Sequence, residues 1–145
     1  MAKKQGFSGN PQIEFLHFQD KVAPKALELY QNRYHEDEIP AKCFNSAGRY
    51  GILLETLLYC DARGRRHRAR AGLLTDFGSI PRLFWTTFGA PAKTPYLPAY
   101  LIHDDEVAHA MDIPDKYLRK QLYLDADDNL REMGLFITPK KPFKI

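Results

Sequence analysis

His103 and Asp104 stand side by side in a stretch with helical spacing. At 100° per residue, His103, Asp104, Val107, Ala110 and Met111 fall on one arc that is otherwise apolar, while Asp105, Glu106 and His109 point to other sides. A carboxylate on such an arc must be paired or bound, because burying it alone costs several kcal/mol. The chemistry this pair suits is general-base catalysis by the imidazole beside a carboxylate that holds a cation. The plainer reading is a charged helix face beside a structural His–Asp pair.

Two further acidic features could join it. Asp125-Ala126-Asp127-Asp128 lies in a stretch whose apolar stripe is Leu118, Leu122, Tyr123, Ala126, Leu130 and Met133. Asp125 and Asp127 sit at opposite edges of that stripe, and Asp128 points away. Either edge residue meets His103 if the two helices pack antiparallel, as the short link near residues 112–113 predicts; the pattern does not choose between them. The other feature is the segment from Leu74 to Trp85. Asp76 closes a strand, Gly78 permits an unusual backbone, Ser79 can cap a helix, and Pro81 fits its first turn. Such a turn can offer Asp76 and backbone carbonyls to a cation, or simply form a strand-to-helix corner. Oxygen donors of this kind favour calcium or magnesium over zinc.

The elements that must position these residues follow from periodicity. Residues 1–12 read as a loose arm, and Ile13–Phe18 as a short strand. Pro24 opens a helix to about Tyr34. Tyr50–Tyr59 and His67–Phe77, separated by a turn with Gly64, read as a β-hairpin over 50–60 and 67–76. Helices are expected over Ala99–Met111 and from Pro114 to Gly134, and an extended tail over 135–145. The whole is an α+β domain over 1–145: a small antiparallel sheet against an antiparallel helix pair, with Leu53 or Leu54, Leu73, Phe84 and Trp85 in its core.

Composition excludes several classes. The chain has 145 residues, 44% of them hydrophobic and 12% aromatic, enough for a real core rather than a disordered or fibrous chain. Two cysteines, Cys43 and Cys60, are too few for a disulfide framework and lack zinc-site spacing. No apolar run is long enough to span a bilayer. The basic start lacks an apolar stretch behind it, so no signal peptide is expected and synthesis in the cytoplasm is. A net charge of +3 is mild. Arg66, Arg68 and Arg70 share one strand face, which reads as solvated; nucleic-acid binding is not expected.

Thr75-Asp76-Phe77-Gly78-Ser79-Ile80-Pro81-Arg82, then His103-Asp104, then Ala126-Asp127, resembles a family of small phage and prophage proteins catalogued as domain of unknown function 1353. The resemblance covers roughly residues 48–134 and rests most on the "TDFxSIPR" segment. It departs at Val107, where the family usually has tyrosine, and in a shorter stretch from Asp127 to Gly134. It implies a phage or prophage origin and a recurrent set Asp76, Ser79, His103, Asp104 and Asp127.

A helical His-Asp pair with a later Asp is also similar to the site of phospholipases A2. That likeness implies His103 as base, Asp104 as calcium ligand and Asp127 as the residue orienting His103. The disulfides and glycine-rich calcium loop of the secreted enzymes are absent. HD-type phosphohydrolases rank behind, being all-helical and needing another metal histidine. The leading expectation is a virion- or tail-associated accessory protein, partnered by other phage structural proteins, with a structural Asp/His cluster. The alternative is a metal-assisted hydrolase of a cell-envelope component, lipid or peptidoglycan.

Overall fold

The computed structural model describes residues 4–44, 48–75 and 96–138. Asp76, Ser79, Pro81, Phe84 and Trp85 lie outside them. The described residues form an α+β fold of two three-stranded antiparallel sheets and three α-helices.

One sheet orders β1 (Gly6–Phe7), β4 (Leu57–Cys60) and β5 (Arg66–Ala69). The other orders β2 (Ile13–His17), β3 (Arg49–Leu53) and β6 (Leu74–Thr75). The expected hairpin is therefore real but narrower, pairing Leu57 with Ala69 and Cys60 with Arg66. The run from Tyr50 to Tyr59 is two strands rather than one. β3 pairs instead with β2, Phe15 facing Gly51, and with β6, Ile52 facing Leu74. The chain leaves β3 at Leu54, whose N–H goes to the Gln12 carbonyl at 2.7 Å. It thus crosses from one sheet to the other through Glu55 and Thr56, which periodicity over a leucine-rich run does not mark. The amino-terminal arm contributes β1, so part of it is fixed by pairing with β4.

Gly72 ties the second sheet to the first helix, α1 (Pro24–Tyr34). Its φ is +89°, and a Cβ there would stand 2.4 Å from the Leu29 carbonyl oxygen of α1. Only glycine tolerates both conditions.

α2 (Leu97–Met111) and α3 (Lys116–Ile137) pack on each other. Asp115 caps α3, accepting from the N–H groups of Tyr117 and Leu118 at 2.9 and 3.1 Å. Contacts step from Tyr96–Thr138 through His103–Asp127 to Arg119–Ile113, so the pair is antiparallel. α3 runs to Ile137, past Gly134 and into the stretch expected to be extended. No helix of the described residues is long and apolar enough to cross a membrane.

Leu53, Leu57, Tyr59, Ala69 and Leu73 meet Leu101, Ile102, Leu130 and Met133 in the main core. Leu54 is only half-buried, so Leu53 is the core residue of the two. Leu16, Tyr30, Tyr50 and Ile52 form a smaller core under α1.

Candidate functional site

Near the start of α2 four consecutive residues, Ala99 to Ile102, are buried. One residue on, His103 reaches the groove between α2 and α3. Its Nε2 lies 2.9 Å from Asp127 Oδ1. Asp125, on the other edge of the stripe, accepts instead from Gln121 Nε2 of its own helix at 3.0 Å. Asp127 is thus the residue that faces His103. The imidazole is 13% exposed and the Asp127 carboxylate 66% exposed, so the acid sits at the rim and the base beneath it.

In the tautomer that donates Nε2–H to Asp127, the other ring nitrogen carries the lone pair. That atom, His103 Nδ1, is buried and has no hydrogen-bond partner among the described residues. A buried polar atom left unpaired costs about 1–3 kcal/mol. It is the kind of cost that binding and catalytic sites carry.

His103 also lines an open cleft of about 490 Å³ with Asp104, Thr75 and Val107. Leu73, Leu74 and Met111 make its wall largely apolar, and Lys42 stands at its edge. Thr75 Oγ1 donates to Asp104 Oδ2 at 3.4 Å, a long bond that brings β6 against α2. Thr75 ends the described part of the strand, next to Asp76. His103 thus meets Asp127 on one side and shares the cleft with Asp104 on the other; Asp127 does not line that cleft, and Asp76, Ser79 and Pro81 lie outside the described residues. A hard cation takes six to eight oxygens. The described side chains offer it Asp104 and Thr75 here, and no group of three or more His, Cys, Asp or Glu among the described residues is arranged to hold a metal ion.

The buried carboxylate of α2 is not Asp104 but Asp105, 4% exposed. It follows Leu101 by four residues and Ile102 by three, so it continues their buried face. An arc drawn over the second half of the helix misses this. Arg33 of α1 grips it with Nη2 to Oδ1 at 2.5 Å and Nη1 to Oδ2 at 3.3 Å. The Arg70 backbone N–H adds a bond of 2.6 Å. Burial works against the Arg33 charge, but the bonds to Asp105 outweigh it and hold the guanidinium pKa above its usual value.

A second network ties the hairpin to the same helix. Asp61, fully buried, accepts from the backbone N–H groups of Arg63 and Arg65 at 2.9 and 2.8 Å and from His67 Nε2 at 2.9 Å. Burial alone would raise its pKa; the His67 bond and the two backbone bonds overcome that and lower it to about 2. His67 Nδ1 lies 3.5 Å from Glu106 Oε1, an ion-pair contact long for a hydrogen bond, and Asn129 Nδ2 donates to Glu106 Oε2 at 2.8 Å. The bond to Glu106, against burial and with help from Asp61, raises the His67 pKa. These residues tie β5, α2 and α3 together.

A family model described as "protein of unknown function (DUF1353)" matches residues 52–132. No curated protein and no solved structure matches the chain.

Proposed function

Because the chain belongs to the DUF1353 family, whose matched segment carries His103, Asp104 and Asp127, we propose that it is a small hydrolase with His103 as general base and Asp127 as its orienting acid. The observation that carries this is a buried Nδ1 with no partner among the described residues, on a histidine whose other nitrogen is held by a carboxylate. Nδ1 takes a proton from water as the water oxygen attacks the substrate's acyl carbon. The imidazolium, steadied by Asp127, then returns that proton to the leaving group. The apolar wall of the cleft suits an acyl substrate from the cell envelope. The phage origin that the sequence resemblance implies gives such an enzyme its setting. A divalent cation, were it held by Asp104 and the Thr75 hydroxyl, would polarise the carbonyl.

The test uses the purified chain against phospholipid vesicles, short- and long-chain acyl esters and peptidoglycan. Release of fatty acid or muropeptide that His103→Gln abolishes, with an unchanged circular dichroism spectrum, supports the reading. Absence of turnover on every substrate, or full activity in His103→Gln, overturns it.

One observation favours a second reading, a virion- or tail-associated protein with a structural cluster. Asp105 and Glu106, the neighbours of the His103-Asp104 pair, both serve to pin elements together. Under that reading the chain is present in purified virions and His103→Gln leaves infectivity unchanged.

A further inference from the structure

α2 separates two concave sites. Behind it, away from the His103 cleft, lies a cavity of about 340 Å³ between β5 and the helix pair. Arg66, Arg68 and Arg70 line it from the hairpin side, with His109 of α2 and Leu122 of α3 opposite. Arginines at period two share one strand face, and a solvated face would be their ordinary role. Here that face borders a concavity large enough for a small ligand, since such pockets begin at roughly 300 Å³.

The cavity also touches Asp105 and Glu106, which could have neutralised the arginines. Both are engaged elsewhere. Asp105 is held by Arg33 and the Arg70 backbone, Glu106 by Asn129 and His67. The Arg70 guanidinium stands 3.7 Å from Asp105 and is half exposed. Arg66 and Arg68 are exposed and form no ion pair among the described residues. The site therefore has two uncommitted guanidinium groups and a third loosely held, at the mouth of a cavity where Arg33 neutralises Asp105 and Glu106 shares His67 with Asp61, so positive charge is in excess. Guanidinium forks match phosphate oxygens bidentately, and a concave wall focuses their field.

We propose that this cavity binds a phosphate group, carried by a small molecule or by a lipid headgroup. It does not depend on the His103 reading. The size of the site favours a single phosphate-bearing group over duplex nucleic acid, which would lie across the arginines rather than enter between β5 and α3.

The experiment is calorimetric titration of the full chain with inorganic pyrophosphate. One saturable site is expected, weakened at least about tenfold in Arg66→Gln/Arg68→Gln, as lost charge-assisted bonds require. Leu122→Trp, which fills the cavity and leaves the charge alone, should weaken it as well. Thermal melts confirm folding; the single arginine variants replace the double one if it melts early. Co-sedimentation with phosphatidylglycerol vesicles, but not phosphatidylcholine vesicles, and displacement by pyrophosphate would identify the lipid source. Binding to neither probe, equal pyrophosphate binding in all variants, or retention on duplex DNA without pyrophosphate binding would each overturn the proposal.

Discussion

Arg33 and Asp105 form a buried two-bond ion pair between helices far apart in sequence, with side chains 11% and 4% exposed. The pair joins the smaller core under α1 to the helix that carries His103. Removing one partner strands a buried charge, so Asp105→Ala or Arg33→Ala should lower unfolding free energy by about 3–5 kcal/mol. The double variant Arg33→Met/Asp105→Leu should recover most of that loss, because it leaves no charge behind. Urea titrations of the three variants measure this; equal losses in single and double variants would show that the pair matters by packing alone.

The backbone at Gly72 makes a separate demand. Alanine there must hold φ near +89° and push its Cβ into the Leu29 carbonyl. Gly72→Ala should cost about 1–3 kcal/mol from the backbone strain alone, and more from the clash. Gly64, at φ +82° in the hairpin turn with nothing within 4 Å of its would-be Cβ, is the control. Gly64→Ala should cost less than Gly72→Ala in the same melts. The reverse order would mean that α1 shifts freely.

Helix starts were readable where prolines mark them: Pro24 opens α1, and Pro114 stands just before α3. The end of α3 was not, because Gly134 lies within the helix, which runs on to Ile137. The sheet was less so. A continuous leucine-rich run gives no sign that it is split between two sheets, since the strands that pair with its two halves, β2 and β6 for β3, β1 and β5 for β4, lie outside the run. The choice of Asp127 over Asp125 likewise needs the rotation of α3 about its axis, which an apolar stripe fixes only to within its own width. Asp105 is instructive in the other direction. Its burial follows from Leu101 and Ile102 one turn earlier, but its partner Arg33 could be found only in three dimensions.

Two titrations should set the pH dependence of stability. Asp61 is held at about 2, below its ordinary 3.8. Its contribution is complete above pH 3.8 and is lost as pH falls through about 2. His67 is shifted the other way, above its ordinary 6.5. Its contribution is complete below pH 6.5 and is lost as pH rises through the raised value. Unfolding free energy should therefore be highest between these limits and slope down on both sides. His67→Gln should flatten the alkaline slope that begins above pH 6.5, and also weaken the acid one, since His67 is the first support of the Asp61 carboxylate. An unchanged alkaline slope in His67→Gln would assign it to other groups.

The last expectation separates role from stability at Asp127. Its carboxylate is 66% exposed, so water screens the bond to His103 and the pair should add little to folding, about 0–1 kcal/mol. Asp127→Asn should melt close to the wild type. If Asp127 orients a working base, the amide can still meet the ring, yet it can favour the other tautomer and no longer supports the imidazolium. Turnover should then drop by about 10²-fold or more, within the range attributed to positioned acid–base groups. Asp125→Asn, at a carboxylate that accepts from Gln121 of its own helix, should alter neither quantity. A large loss of stability in Asp127→Asn with no change in any activity would make the His103–Asp127 bond a helix clamp.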